Sequence, residues 1–87
     1  MQKSGDEMHK EILIENIDKI HTTEMGVGRI QKNLEIIEEP VSYCISKLKQ
    51  ENSEVVKKGK NYYVNVDDCI ITINSSSFTI ITAHKVK

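Results

Sequence analysis

The chain has 87 residues, of which 38% are hydrophobic and 29% charged, and its formal net charge is -1 at pH 7. A chain of this length forms one domain with a modest core, and its apolar fraction is too high for a disordered protein. The balanced charge excludes a global attraction to nucleic acid or to a membrane surface. The charge is nevertheless uneven, because residues 1–52 carry seven basic and ten acidic side chains, whereas residues 53–87 carry five and three.

Three features bear on compartment and cofactors. Cys44 and Cys69 are far apart in the sequence, and isolated thiols in a small domain fit a reducing environment, so we expect a cytoplasmic protein. The N-terminal residues are partly acidic and lack the apolar run of a signal peptide, and no segment has the roughly 18 apolar residues of a membrane span. Metal-ligand spacings and a nucleotide-binding glycine loop are missing, so we expect no metal and no cofactor.

The first predicted helix covers residues 6–20, and residues 1–5 are predicted to be disordered. Acidic residues near its start suit the helix dipole. Apolar residues close to helical spacing predict the face that is buried. That stripe consists of Met8, Ile12, Ile17 and Ile20, with Leu13 at its edge.

Two further helices are predicted before residue 53. Thr22 or Thr23 can cap the second helix, because a threonine hydroxyl accepts a backbone N–H that has no partner within the helix. Two glycines, Gly26 and Gly28, weaken this helix, which suggests that a backbone or a ligand comes close to them. Pro40 suits the first turn of the third helix.

Residues 53–84 contain most of the strand-forming residues and predict four strands separated by short turns. The predicted strands cover residues 54–58, 62–66, 69–73 and 78–83. Short connections favour antiparallel pairing of consecutive strands. The predicted fold is therefore α+β, with three N-terminal helices packed on one face of a C-terminal four-stranded antiparallel meander in a single domain.

Four segments resemble a small bacterial family known only as a domain of unknown function, DUF3781. The segments are Ile20–Ile30, with the sequence IHTTEMGVGRI, then Gly59–Val64, Ile70–Asn74 and Phe78–Lys85. The resemblance covers most of the chain from about Leu13 onward. It implies a compact bacterial domain and brings no assigned activity with it.

The last strand is also similar to part of another group of proteins. Segment Phe78–His84, with the sequence FTIITAH, resembles a late strand of the barnase/EndoU/colicin/RelE-like ribonucleases, which place helices before an antiparallel meander. This resemblance implies RNA cleavage without a metal. Cleavage by the 2′-hydroxyl needs a base, an acid and a cation for the developing charge.

Candidate catalytic residues follow from that chemistry. His84 and Thr82 share one face of the last predicted strand, and His21 is a second proton carrier, since histidine titrates near neutral pH. The structural alternatives are favoured for both histidines. His84 near the end of the chain is then simply exposed, and His21 packs on the end of the preceding helix.

Candidate phosphate-binding residues are Arg29, Lys57, Lys58 and Lys60, with Tyr63 as a surface on which a base could stack. The alternative is that the lysines solvate a turn at the sheet edge and that a tyrosine belongs to the core.

The sequence favours a small cytoplasmic binding or interaction domain, because this function requires the fewest features that are not seen. Two alternatives stay open: a metal-independent ribonuclease or its inactive relative, and a single-stranded nucleic-acid binder. Whether the chain is an enzyme is undecided. Its partner could be RNA, a protein or a second copy of the chain, and no membrane is expected.

Overall fold

The computed structural model describes the backbone of residues 5–86 and the side chains of residues 8–86. The helices are α1 (Gly5–Glu15), α2 (Glu24–Leu34) and α3 (Pro40–Leu48), and a short 3₁₀ helix, Ile17–Lys19, follows α1. The strands are β1 (Glu54–Lys58), β2 (Asn61–Val66), β3 (Cys69–Asn74) and β4 (Ile80–Lys85). They form an antiparallel sheet in the order β1-β2-β3-β4. The predicted α+β fold, with helices before a meander, is confirmed.

The helices cover one face of the sheet. Helix α1 contacts β1, α2 contacts β4, and α3 contacts β2. Alternation along the strands directs every second side chain to this face. The buried sheet residues are Val55, Tyr62, Val64, Val66, Cys69, Ile71, Ile73, Ile80 and Ala83. The helical side contributes Leu13, Ile20, Ile30, Leu34, Cys44 and Leu48.

Side chains cap α2 and α3 at their N-termini. The hydroxyl of Thr23 accepts the Gly26 N–H at 3.0 Å, whereas the hydroxyl of Thr22 donates to the carbonyl of Ile80 on β4 at 2.9 Å. The carboxylate of Glu39 accepts two backbone N–H groups of the first turn of α3, at 2.9 and 3.1 Å. These bonds lower the pKa of Glu39. Of the two threonines proposed as caps, Thr23 is therefore the cap, and Thr22 ties α2 to the sheet.

The two glycines of α2 have different surroundings. A Cβ atom on Gly26 would collide with the hydroxyl of Thr22, which is held by its bond to the sheet. A Cβ atom on Gly28 would have nothing within 4 Å. A close approach to another group therefore accounts for Gly26 and not for Gly28.

The first helix is shorter than predicted, and the side that it buries differs from the predicted apolar stripe. It ends at Glu15 instead of residue 20, and the disorder predicted for residues 1–5 lies outside the described residues except at Gly5, where α1 begins. Leu13 is fully buried, while Met8 and Ile12 are 58% and 38% exposed. Apolar residues occur on more than one side of this helix, so its packing on β1 selects the buried side.

The fourth strand begins two residues later than predicted and runs to Lys85. Before it, the side-chain oxygen of Asn74 accepts the N–H groups of Ser76 and Ser77, both at 2.9 Å. Phe78 has a φ of 58° in the loop that follows. Because a left-handed backbone does not continue a strand, the loop holds Phe78 outside β4.

Candidate functional site

The face of the sheet opposite the helices carries two rows of side chains across the four strands. The register sets Val56, Tyr63, Thr72 and Thr82 side by side. The next row consists of Glu54, Asn65, Ile70 and His84. No helix in residues 5–86 packs on these rows, and we call this surface the open face. Most of its side chains are half-buried or exposed, although Thr72 is buried by its neighbours.

A groove of about 440 Å³ crosses β1, β2 and β3 on the open face. Its lining is formed by Val56, Lys58, Tyr63, Asn65 and Ile70. The two aliphatic side chains and the tyrosine ring make its walls apolar, while an ammonium group and an amide supply its polar atoms. The groove thus combines a flat aromatic surface, a positive charge and a group that both donates and accepts hydrogen bonds.

The charged side chains are distributed unevenly between the two ends of the sheet. Residues 55–66 and 69–86 contain four lysines and no aspartate or glutamate. Lys58 and Lys60 lie at the β1–β2 turn, whereas Glu54, Asp67 and Asp68 lie at the opposite end of the sheet. Among the described residues, neither of these lysines forms an ion pair. The end of the groove next to the β1–β2 turn is therefore positively charged.

The proposed phosphate-binding residues are divided between the two sides of the sheet. Lys58 and Tyr63 line the groove, and Lys60 is exposed in the adjoining turn. Lys57 lies opposite Tyr62, whose side chain is buried under the helices, so Lys57 projects from the other face. Arg29 is exposed on α2, one layer away from the groove. The structure brings Lys58, Lys60 and Tyr63 together and separates them from Arg29.

The proposed catalytic residues do not converge. Thr82 and His84 are both on the open face, opposite Thr72 and Ile70. His21 lies beside Thr79, at the start of β4. Since Thr79 precedes His84 by five residues, the two histidines are about 16 Å apart along the strand.

His21 has a structural position. Its backbone bonds to the strand segment through Phe78 O and Ile80 N, at 3.2 and 2.6 Å. Its Nδ1 lies 2.8 Å from the carbonyl of Lys19 and therefore carries the proton there, while Nε2 lies 3.1 Å from the hydroxyl of Thr79. Both ring nitrogens are engaged, so His21 fastens the segment before α2 to the edge of the sheet.

The acidic end of the sheet is held by a polar cluster. The carboxylate of Asp67 accepts hydrogen bonds from Lys47 and Asn52, both at 2.9 Å. The hydrogen bond to Lys47 is the main cause that lowers the pKa of Asp67 and raises the pKa of Lys47. These contacts join α3 to the β2–β3 turn, where Asp67 and Asp68 have φ values of 51° and 64°. The cluster stabilises the fold and lies outside the groove.

The cysteines are buried and form no disulfide. Burial raises the pKa of the Cys44 thiol to about 12, which keeps it protonated and poorly nucleophilic. Within residues 8–86, His, Cys, Asp and Glu side chains form no cluster suited to a metal ion. The helices described by the structure are also too short and too polar to cross a bilayer.

The fold and the groove define a class of protein: a small α+β domain with helices on one side of an antiparallel sheet and an open face on the other. The chain belongs to the DUF3781 family of proteins of unknown function, whose sequence model matches residues 14–84. This confirms the family resemblance seen in the sequence. No curated protein and no solved structure matches the chain, and the resemblance to ribonucleases gains no support.

Three lining residues of the groove, Val56, Asn65 and Ile70, were missed by sequence reasoning. A signal for Asn65 was present, because it is two residues from Tyr63 and therefore on the same side of a strand. Val56 and Ile70 could not be added without the register that sets β1 and β3 beside β2.

Proposed function

We propose that this domain is a binding module whose open face binds single-stranded nucleic acid. The observation that carries the proposal is the groove, in which the ring of Tyr63 lies next to Lys58 on a sheet face without helical cover. Single-strand binders commonly combine an aromatic platform for the bases with cationic side chains for the backbone.

Charge complementarity favours nucleic acid over a basic or apolar protein partner. Lys58 and Lys60 are at one end of the groove, and Glu54, the carboxylate carried by its three strands, is at the opposite end. A nucleic-acid backbone offers phosphates at regular spacing to such lysines. Tyr63 is half-buried, so its ring is held by its neighbours while part of its surface stays accessible to a base.

The open face argues for binding more than for cleavage. A ribonuclease of the expected type would need a second proton carrier near His84. His21 is at the other end of β4 and has both ring nitrogens engaged. The binding hypothesis requires only Lys58, Lys60 and Tyr63, which lie together, and it does not depend on Arg29 or Lys57.

The test is fluorescence anisotropy with labelled oligouridylate of about twelve nucleotides, a length within the site sizes of single-strand binders. Wild-type protein should bind it, and Tyr63→Leu should weaken binding about tenfold, because one stacked base contributes about 1–3 kcal/mol. The deoxy oligomer, measured in parallel, distinguishes RNA from DNA as the source of the strand.

Tyr43→Leu is the matched control, because Tyr43 is also half-buried but lies on α3, on the other side of the sheet. Its affinity should equal that of the wild type. The proposal fails if neither oligomer binds at low salt, or if the two tyrosine variants lose affinity equally. Sedimentation of the free protein supplies a further check. A dimer that buries Tyr63 would assign the open face to a second copy of the chain and overturn the proposal.

A further inference from the structure

The two ends of the groove differ in chemistry. Lys58 is at the end that leads to the β1–β2 turn, and Asn65 is at the other end. Tyr63 and Asn65 are two residues apart on β2, so their side chains are about 7 Å apart along the same face. A nucleotide whose base lies on Tyr63 and whose phosphate meets Lys58 therefore directs the far edge of its base toward Asn65.

Asn65 has a carboxylate neighbour across the strand pair. Glu54 on β1 is its direct partner in the register, and directly opposed residues have Cβ atoms about 5 Å apart. Both side chains are exposed on the open face. Among the described residues, the amide of Asn65 has no hydrogen-bond partner, so its oxygen and its NH₂ group are available to a ligand.

These two side chains offer more acceptors than donors. The Glu54 carboxylate only accepts hydrogen bonds, and the Asn65 amide contributes one more acceptor oxygen as well as its NH₂ donor. Cytosine and adenine carry an exocyclic amino group, whereas uracil presents a carbonyl oxygen at the corresponding position. A carbonyl oxygen directed at a carboxylate is repelled, and an amino group is bound.

We propose that the groove is a nucleotide subsite, and that Asn65 in its lining and Glu54 beside it on β1 select a base that carries an exocyclic amino group. The inference rests on the proposed function and adds the specificity of the same surface. The volume of the groove, about 440 Å³, lies within the usual range of about 300–1,000 Å³ for small-molecule sites. Lys58 and Tyr63 bind any nucleotide in the groove, while Glu54 and Asn65 discriminate between nucleotides with different bases.

Oligocytidylate and oligouridylate of equal length form the best matched pair of probes, because their bases have the same size and differ in the amino or carbonyl group. Wild-type protein should bind oligocytidylate about tenfold more tightly, as expected for one hydrogen bond to a charged group. Glu54→Gln should bring this ratio close to one, whereas Asn65→Leu, which leaves the carboxylate in place, should lower it only in part. Glu51→Gln, which removes an exposed carboxylate outside the sheet, should keep it.

The ratio separates selection from simple charge repulsion. Removing Glu54 raises the affinity for both oligomers when the carboxylate only repels phosphate, and the ratio between them then stays constant. A wild-type ratio near one, or an unchanged ratio in Glu54→Gln, overturns the inference while oligonucleotide binding through Tyr63 stands. Absence of binding to both oligomers removes the proposed function itself. Thermal melts of each variant show that the compared proteins are folded.

Discussion

Replacing Lys58 and Lys60 together by glutamine tests whether the phosphates of a bound strand lie at the β1–β2 turn. Both side chains are exposed, and one of them lines the groove. Surface substitutions of this kind usually change the free energy of unfolding by less than about 0.5 kcal/mol. The double variant should therefore fold like the wild type and lose only its contacts with the strand.

The magnitude follows from counterion release. Each phosphate contact of a single strand contributes about −0.7 to the slope of log affinity against log salt concentration, so two lysines contribute about −1.4. Wild-type affinity should then fall about sevenfold for a fourfold increase in salt, from about 50 mM to about 200 mM. At 1 M salt the contribution of the two phosphate contacts vanishes, and the wild type and the double variant should bind equally. With the same slope, the loss of both contacts should weaken binding about 14-fold at about 150 mM salt.

The assay is anisotropy of labelled oligouridylate at a series of NaCl concentrations. The matched control replaces Lys57 and Lys49 by glutamine, which removes the same charge. Lys57 is on the same strand but projects toward the other face, and Lys49 follows α3. Screening over about 8 Å at physiological salt weakens the effect of charges that project away from the groove.

The control should keep the wild-type slope, while the slope of the Lys58/Lys60 variant should approach zero. Equal losses in the two double variants would show that net charge, and not the position of the lysines, governs binding. An unchanged slope in the Lys58/Lys60 variant would refute the assignment of the phosphates to this turn.

Three further predictions concern the fold and are read from denaturant or thermal unfolding. Gly26→Ala should destabilise the protein by about 1–3 kcal/mol, because its methyl group displaces the Thr22 hydroxyl. Gly28→Ala, at an open helical site, should stabilise it by about 0.5–1 kcal/mol. Equal effects of the two substitutions would contradict the structure. Glu39→Ala should cost about 1 kcal/mol through loss of the α3 cap, and no loss would mean that this cap is dispensable. Because the pKa of Asp67 is lowered in the folded protein, its carboxylate stabilises the fold at pH values above its ordinary pKa of 3.8. This contribution to the free energy of unfolding disappears as the pH falls through the lower pKa of the folded state. Asp67→Asn should therefore lose less stability than the wild type over that acidic range, and parallel pH profiles would oppose this reasoning.

Local patterns in the sequence predicted the order and type of most elements. Strand β1 was predicted over the residues where it occurs, and β2 and β3 were each predicted to within one residue. Alternating apolar side chains and short turns are local signals, so they survive without knowledge of the neighbours. Helix α1 was placed less well, since isoleucines and a leucine on several of its sides give no single buried face.

The candidate site depended on contacts between distant residues. Tyr63 and Lys58 were selected from the sequence, but Lys57, their neighbour in that selection, belongs to the opposite face. His21 and His84 both looked able to carry protons, and only the parallel bridge of His21 to Thr79 showed that they are separated.

The sequence by itself determined that helices precede a meander, because the periodicity of apolar residues is a property of each segment. The tertiary structure decided which sheet face the helices cover and which side chains from three strands meet in the groove. Covering one face with helices leaves the other to polar and half-buried side chains. Strand register then sets Glu54 beside Asn65 and Val56 beside Tyr63, and register is a relation between segments that no single segment contains.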